Sequence, residues 1–537
     1  MNKKFLSAVQ KRIPKFNPLI GNGIAVAQME YAAKMVDDIW RASEAYFPKG
    51  LKYVGCERCS PIEMYRVMAE KKRGRRSMER ARSDVYLMKY HFEWTEPGSN
   101  RVEKLKPKYC LLPFARKGGL ITIRGAHFCV SPAMIDPTFS VVHNGLFIHP
   151  LKARISIESA PFSFLANGQR NTSSLAFSAI YNKKASGKKS KRRGITAPTL
   201  GCYLFAKFGV TEVFLRAGTE VKVDTVFELE RTLDQEEWVI CSSTRIKPVN
   251  FGKRRYEPSD TAIAVPKSNY TPLVKSLVGA YMHLVDNYPD QVLPEFVNDE
   301  RLWRKLLGME IFEEVTNYGQ LLSSMEEHLH SLDAYIDVIV REEYAKHGLH
   351  VNDMYDLMFN VIETMPVRML KANNAGLYNK EIITLKYVLF DIYYTINNVF
   401  FRLLRGGDSL QTLKDIEEVF RDKWKRDLIL NLHSSKHSVV NPIDSPSMCM
   451  LFEHTGKVIP QSSVTRKSAH SSASVDETKF LDASLAEVVS YTNQRKFEPT
   501  GRAMLNPYAL IDIHGVIHRN EKFAELIHRT DKLIRAN

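Results

Sequence analysis

The chain has 537 residues, of which 44% are hydrophobic and 25% are charged, and it carries a net charge of +16. These proportions are typical of a folded soluble protein, and the length predicts two to four domains. The seven cysteines are odd in number and scattered, and no signal peptide opens the sequence, so we expect a reducing compartment and free thiols. Charged residues interrupt even the most apolar stretch, residues 382–404, so we predict a buried helix there and no membrane span.

Positive charge is concentrated in the first 200 residues. They contain 36 Lys and Arg against 14 Asp and Glu, a net of +22, whereas the remaining 337 residues contain 40 against 46, a net of −6. A surplus of positive charge this large produces a local electrostatic field, and the commonest partner for such a field is a polyanion. Much of this charge lies in two basic runs, one near residues 71–76 and one near residues 188–193. Either run alone could be a solvated loop, but the two together, in a chain with 10% aromatic residues, favour nucleic acid as the partner. The predicted contacts are Lys71, Lys72, Arg73, Arg75 and Arg76 in one run, and Lys188, Lys189, Lys191, Arg192 and Arg193 in the other.

The N-terminal part is predicted to contain two helices and then many short strands. Apolar residues close to a 3.6-residue period predict a helix over residues 25–45, and Pro61 is a good first residue for a second helix. From Asp84 to about Ile240, β-favouring runs are mostly separated by Gly or Pro, with one helical segment near residues 198–214. The predicted strands lie at residues 85–88, 90–94, 109–112, 120–123, 128–130, 146–148 and 153–157.

The C-terminal part is predicted to be helical from about Tyr270. Pro366 and Gly406-Gly407 are each expected to close a helix. Residues 434–475 are rich in Ser, His and Pro and are interpreted as a long loop. The fold class is therefore α+β, with a β-rich basic N-terminal half followed by a largely α-helical C-terminal half. The predicted helices cover residues 274–284, 300–312, 321–340, 351–365, 380–404, 410–432 and 481–491, and a last one begins at Asn520.

The cysteine pair Cys56 and Cys59 supplies at most half of a zinc site. A structural zinc ion needs four ligands, and no second Cys-x-x-Cys occurs in the sequence. Cys110, Cys129 or a histidine could complete the set, but lone thiols are also common buried apolar residues. The pair is the metal candidate of this chain.

No motif for catalysis or nucleotide binding is recognisable. The sequence has no Walker loop, no His-Glu-x-x-His spacing and no Asp-x-Asp pair, and no catalytic triad can be placed. His514 and His518 are four residues apart, but Gly515 and β-branched neighbours predict a hairpin there instead of a metal-binding helix. We therefore expect no catalytic residue and no cofactor on this chain.

Residues 108–130 carry a resemblance to a known family. Two apolar strands joined at Arg124-Gly125 follow a proline-containing segment and Lys117-Gly118-Gly119, and Gly119 and Gly125 are six residues apart. In this order the chain resembles the β subunits of multisubunit DNA-directed RNA polymerases, in the parts called the protrusion and the fork. The other pieces that resemble it are residues 153–157, 162–164, 175–181, 197–214, 497–502 and 506–507.

The resemblance implies the N-terminal half of a split β subunit, of the type found in large bacteriophages. It adds Arg124 and Arg502 to the predicted nucleic-acid contacts. The expected segments are an N-terminal helical segment (1–84), a β-rich basic, protrusion-like domain (85–197), a small α/β, lobe-like domain (198–270), a helical domain (271–433), and a loop-rich, fork-like segment with the C-terminal helix (434–537).

A subunit of this kind holds no catalytic magnesium, since in the family that ion lies on three aspartates of the β′ side. Magnesium is therefore expected on a partner subunit. We expect the chain to form part of the DNA-channel wall and of the scaffold for transcription, where Lys and Arg contact phosphates without reading sequence. The expected partners are DNA, with RNA as a second candidate, and the C-terminal β part and β′ parts of the polymerase. The expected location is the cytoplasm of the infected bacterial host or the virion.

A second hypothesis is a phage nucleic-acid-binding or virion structural protein without enzymatic activity. It explains the charge and the missing motifs equally well. A third, a self-contained metal-dependent nuclease or hydrolase, needs a cluster of ligands that the sequence does not offer. Chains that co-purify with this one and carry an Asn-Ala-Asp-Phe-Asp-Gly-Asp-like loop would favour the polymerase.

Overall fold

The chain forms two compact units, one of residues 1–137 with 373–537 and one of residues 138–372. The five predicted segments are divisions along the sequence, and their boundaries stay a prediction. The computed structural model describes residues 16–17, 19–20, 24, 26, 32–69, 82–96, 98, 101–130, 133–135, 139–142, 145–148, 155–180, 197–245, 249–251, 254–256, 258–312, 315, 317–336, 338–346, 348–371, 376–383, 390–430, 440–443, 457–461, 482–490, 503–512 and 515–536.

Strands and helices are numbered in chain order over these residues. The strands are β1 (Leu51–Arg58), β2 (Val85–Thr95), β3 (Val102–Lys104), β4 (Lys108–Pro113), β5 (Leu120–Ile123), β6 (Ala126–Val130), β7 (Ala133–Ile135), β8 (Phe139–Val142), β9 (Gly145–Ile148), β10 (Ile155–Ala166), β11 (Gln169–Phe177), β12 (Lys222–Thr225), β13 (Trp238–Ser242), β14 (Val249–Phe251), β15 (Arg254–Tyr256), β16 (Thr261–Pro266), β17 (Glu381–Ile383), β18 (Val440–Pro442), β19 (Lys457–Gln461), β20 (Ala503–Met504), β21 (Leu510–Ile511) and β22 (Ile517–His518). The helices are α1 (Ala32–Ser43), α2 (Pro61–Ala69), α3 (Leu200–Phe208), α4 (Val210–Arg216), α5 (Val226–Thr232), α6 (Pro272–Asn287), α7 (Glu300–Ile311), α8 (Tyr318–Asp333), α9 (Val338–Lys346), α10 (Met354–Lys371), α11 (Phe390–Gly406), α12 (Leu413–Lys423), α13 (Ser484–Val488) and α14 (Glu521–Ala536).

An aromatic core holds the larger sheet of the first unit. This sheet has the order β1-β2-β3, with β4 also paired to β2. The ring of Phe92 in β2 lies 5.3 Å from Trp40 of α1 and 4.8 Å from Phe420 of α12, measured between ring centroids. Trp424 lies 5.8 Å from Trp40 and donates its indole N–H to the carbonyl oxygen of Tyr109 at 2.8 Å. Burial of these rings therefore joins three segments that are far apart in sequence.

Short strands from distant parts of the sequence form the rest of the first unit. They pair in the orders β17-β7-β19-β20 and β18-β6-β5, and β21 and β22 form a hairpin. The core between them contains Ile20, Met134, Ile382 and Leu505. Because each strand has only two to five residues, this part depends on that shared core more than on any single pairing.

The second unit is a sheet covered by helices. Its strand order is β12-β16-β13-β10-β9-β8, with β11 also paired to β10. α6 packs on β11 at Gly279, where a Cβ atom would lie 3.0 Å from Cδ2 of Leu175. The buried rings of Phe205, Tyr281 and Trp303 lie within 6.3 Å of one another and join α3, α6 and α7.

The α+β class is confirmed, with strands concentrated in the N-terminal half and helices in the C-terminal half. The two strands predicted at residues 85–88 and 90–94 are the single strand β2. The helical segment at residues 198–214 is two helices, because Gly209 has φ 80° between α3 and α4. The hairpin predicted near His518 is β21–β22.

Several elements of the structure differ from the predictions. Pro366 lies inside α10 instead of closing it, where packing of the preceding turns at Val361 and Met365 outweighs the lost hydrogen bond. The expected loop at 434–475 contains two short strands among its described residues, β18, which pairs with β6, and β19, which pairs with β7 and β20. β1 was not predicted, because its alternation of apolar and polar residues is broken by a register shift at Gly55.

The described residues of the apolar stretch at 382–404 belong to the end of β17 and to α11. The helical part is buried as expected, with Ile396, Phe400 and Leu403 fully covered. No helix in the part of the chain that the structure describes is long and apolar enough to cross a bilayer.

Candidate nucleic-acid interface

Among the predicted nucleic-acid contacts, the structure places Arg124. The contacts Lys71, Lys72, Arg73, Arg75, Arg76, Lys188, Lys189, Lys191, Arg192, Arg193 and Arg502 lie outside the described residues and stay predictions. Arg124 is exposed at the tip of the β5–β6 hairpin, where Ile123 pairs with Ala126. The candidate interface is therefore built outward from this hairpin.

The turn of this hairpin has an unusual residue for its geometry. Arg124 has φ 54° and Gly125 has φ 84°, and a two-residue type I′ turn requires positive φ at both positions. Gly is favoured there because a Cβ atom in the left-handed region costs about 1–2 kcal/mol, and Asn is favoured because its side chain hydrogen-bonds locally to the backbone. The hairpin β10–β11 of the second unit has the expected pair, Asn167 with φ 45° and Gly168 with φ 74°. Turn geometry therefore explains the Asn-Gly pair and does not explain Arg124.

Asn167 also shows what a structural role at such a turn looks like. Its side-chain oxygen accepts the backbone N–H of Ile240 at 2.7 Å, and its amide donates to the carbonyl oxygen of Trp238 at 3.2 Å. These bonds tie the hairpin tip to β13. Arg124 is instead held through its backbone, whose N–H donates to the Ser83 hydroxyl at 2.9 Å, and the residue is exposed.

A second arginine lies beside the turn. The backbone N–H of Gly125 donates to the carbonyl oxygen of Arg82 at 3.1 Å, and the Arg82 side chain passes close to Gly125. Arg82 is exposed. In the sequence it comes two residues after Arg80, which itself follows the basic run that begins at Lys71. Arg82 therefore lies at the same hairpin tip as Arg124.

A polar network fixes the base of the hairpin. Arg116 donates from Nε and Nη2 to one carboxylate oxygen of Asp84, at 2.9 and 2.7 Å, and the same oxygen accepts the backbone N–H of Thr122 at 2.7 Å. The Thr122 hydroxyl, which also accepts from Arg116, lies 3.2 Å from Nδ1 of His127. Asp84 therefore neutralises Arg116 and orients β5, and it is committed to that role.

The sequence around the hairpin supplies no other acid. Residues 105–135 contain five Lys and Arg and no Asp or Glu. The segment that forms the hairpin therefore carries a net positive charge, which attracts anions. The acid-free stretch was visible in the sequence, whereas the approach of Arg82 to the turn depends on tertiary structure.

The zinc candidates lie at one end of β1. Cys59 is buried, Cys56 is half-buried, and burial raises the pKa of each thiol to about 11, so both are protonated at neutral pH. Over the described residues, no three His, Cys, Asp or Glu side chains are grouped closely enough to hold a metal ion. Cys110 and Cys129 are buried in β4 and β6. The zinc site stays a prediction.

Comparison with known proteins gives one family. The family model described as non-virion RNA polymerase subunit matches residues 2–513, which include most of the first unit, all of the second, and the hairpin with Arg82 and Arg124. No curated protein matches the chain. Because the match covers nearly the whole sequence, the chain belongs to the family of non-virion RNA polymerase subunits.

Proposed function

We propose that this chain is a nucleic-acid-contacting subunit of a DNA-dependent RNA polymerase and that the β5–β6 hairpin lies against the DNA backbone. The observation that carries the proposal is Arg124, an exposed cation in a left-handed conformation that its turn does not require. Strained residues of this kind concentrate where function demands a particular side chain. A guanidinium at a hairpin tip fits phosphate oxygens well, because its donors match them in geometry and charge.

The contact we propose is with phosphates, not with base edges. A polymerase moves along its template, so the wall of its DNA channel must hold the duplex without reading sequence. Arg82 and Arg124 at one tip, with the basic run from Lys71 joined to it, are suited to that role. The surplus of +22 in the first 200 residues supports the same assignment.

The finer proposal is that the chain is the N-terminal half of a split β subunit. It is supported by the β5–β6 hairpin, which occurs where the resemblance places two strands joined at Arg124-Gly125. The purified polymerase tests it by its composition. We expect one partner chain to correspond to the C-terminal half of a β subunit. We expect no partner chain to contain the strands of the β-subunit protrusion. A second chain with the complete N-terminal β pattern would overturn this placement and leave the DNA contact standing.

We further propose that the catalytic magnesium is held by a partner subunit. Two-metal phosphoryl transfer needs clustered carboxylates with the ions about 4 Å apart. We place the chain in the cytoplasm of the infected host, since the family name describes a non-virion enzyme. Membership in a polymerase subunit family favours this proposal over a structural protein without an enzyme.

The DNA contact is tested by site-specific crosslinking in the assembled polymerase. A photo-crosslinking amino acid is introduced in place of Arg124, and in a second variant in place of Arg231 on α5, an exposed arginine paired with Glu228 at 2.6 Å. We expect DNA crosslinks from position 124 and none from position 231. Absence of DNA crosslinks at position 124 in a transcribing complex would overturn the assignment of the hairpin.

A further inference from the structure

The last turns of α10 carry exposed apolar side chains. Val367 is 50% exposed and Leu370 is 87% exposed, and Pro366, four residues before Leu370, is exposed as well. Residues three and four apart are neighbours on a helix surface, so these side chains form one apolar surface. The other side of the same turns packs inward at Met365 and Met369. The outer side of such a helix is normally polar, and an exposed apolar surface with a polar edge marks a site where another molecule binds.

Arg368 lies at the edge of this apolar surface. It is half-buried, and its guanidinium carbon lies 5.0 Å from the ring centroid of Phe139 in β8, a ring that is 6% exposed. Its Nε donates to the hydroxyl of Thr364 at 3.0 Å. Within the described parts of the chain, no Asp or Glu forms an ion pair with this guanidinium. The guanidinium is therefore held in place without an acidic partner.

The charge of Arg368 is partly desolvated and uncompensated. Burial lowers the pKa of Arg368, and no neighbouring acid acts against this effect. Arg216 provides a contrast, since it lies 3.9 Å from the ring of Phe208 but is paired with Glu212 at 2.9 Å. A desolvated cation is unfavourable until an anion binds it, and a guanidinium can bind a carboxylate through two parallel hydrogen bonds. Arg368 is therefore suited to accept a carboxylate from another molecule.

We propose that the end of α10 is a docking site for another subunit of the polymerase, whose docked segment brings a carboxylate to Arg368 and apolar side chains to Val367 and Leu370. Phosphates of a nucleic acid would satisfy Arg368 but would leave the apolar surface uncovered, so the two features together favour a protein. A polymerase subunit has other subunits to bind, and arginine is enriched at the centres of protein interfaces. The site rests on family membership, goes beyond the proposed DNA contact at Arg124 and involves none of its residues.

Crosslinking in the purified polymerase identifies what covers this surface. A photo-crosslinking amino acid replaces Leu370 and, in a control variant, Leu215 on α4, which is 54% exposed. Mass spectrometry then identifies the crosslinked peptides. We expect position 370 to crosslink to one segment of another subunit, a segment that contains Asp or Glu beside apolar residues, and position 215 not to reach that segment. Crosslinks from position 370 to DNA alone or to a second copy of this chain, or no crosslink to another subunit, would overturn the proposal.

Charge and apolarity are then tested separately by binding. The labelled full chain is titrated with the remaining subunits of the purified polymerase, and fluorescence anisotropy reports the affinity. We expect Arg368→Glu and Leu370→Asp each to bind about 30-fold more weakly or worse. The matched controls Arg231→Glu and Leu215→Asp should bind within about twofold of the parent. Thermal unfolding confirms that each variant is folded.

Reversing the charge on the partner distinguishes a direct ion pair from a general disturbance of α10. Replacing the acid in the crosslinked segment by Arg should restore the binding of Arg368→Glu. Parental affinity in Arg368→Glu or Leu370→Asp, an equal loss in the controls, or no rescue by the reversed pair would overturn the proposal. Affinity for duplex DNA should be unchanged in all these variants. Failure of the contact at Arg124 would appear only in the DNA measurement, so the two proposals fail separately.

Discussion

Replacing Arg124 by Asn should strengthen the hairpin and weaken DNA binding. The variant Arg124→Asn gives the β5–β6 turn the same Asn-Gly pair that the second unit uses at Asn167-Gly168. Asn tolerates the left-handed conformation because its short polar side chain can hydrogen-bond to the neighbouring backbone. The substitution therefore removes strain and removes the guanidinium in one step, and the two consequences have opposite signs.

The size of each effect follows from the geometry. A residue with a Cβ atom at φ 54° costs about 1–2 kcal/mol, and the Asn side chain offsets part of that cost, so the hairpin should become more stable by up to about 1 kcal/mol. Loss of a contact with one phosphate should lower the slope of log K against log salt by about 0.9 on duplex DNA. A charge-assisted hydrogen bond contributes about 1.5–3 kcal/mol, so affinity should fall by roughly tenfold or more at low salt.

Two measurements on the full chain separate these effects. Hydrogen exchange of the β5 and β6 amides reports the local stability, and binding to a random-sequence duplex over a range of salt reports the phosphate contacts. Arg124→Lys should keep the salt slope without gaining stability, and Arg231→Ala should change neither the slope nor the hairpin. Unchanged DNA binding in Arg124→Asn would refute the functional reading of Arg124. A less stable hairpin would show that the arginine side chain itself holds the turn.

Three further predictions concern stability. Asn17→Ala should lower hydrogen-exchange protection of residues 503–512 by about 1–3 kcal/mol, because it leaves two carbonyl oxygens without their donor. Gly145→Ala should destabilise the second unit in urea unfolding by about 1–3 kcal/mol or more, since the new Cβ would lie 1.9 Å from the carbonyl oxygen of Ile157. Burial raises the pKa of Glu310 from 4.5 to about 7, although the hydrogen bond from the Tyr288 hydroxyl lowers it in part. Between pH 4.5 and 7, the folded state therefore keeps a proton that the unfolded chain releases. Stability should therefore fall by about 2–3 kcal/mol as pH rises from 4.5 to 7, and urea unfolding of Glu310→Gln should lack this part of the decline.

Local signals in the sequence were sufficient for most individual elements of the fold. β2 was found because its residues alternate between the aromatic core and the surface, and α2 because Pro61 suits a first helical position. The two strands of the β5–β6 hairpin were found on either side of Arg124-Gly125. In each case the information lies within about ten residues of the element, so no knowledge of the tertiary partner is needed.

Pairing between distant segments could not be predicted from the sequence. Val440 of β18 pairs with Val130, and Ile459 of β19 pairs with Ala133, across more than 300 residues. A strand of three residues is too short for its alternation of apolar and polar residues to identify its partner. The residues around it are rich in Ser and His, which predicts a loop. The contact between Phe16 and Tyr508 was missed for the same reason, because the fold alone brings the two rings together.

The structure places two of the positive charges of the N-terminal half, Arg82 and Arg124, at one hairpin tip. The surplus of +22 is spread over 200 residues, and a spread of that kind is compatible with a merely solvated surface. At the hairpin, Asp84 is bound to Arg116 and to the backbone of Thr122, so it is not available to neutralise the tip. Arg82 and Arg124 then lie at the same end of the paired strands β5 and β6. A solvated surface would need neither a strained arginine nor an acid committed elsewhere, and this arrangement is what favours a bound phosphate backbone.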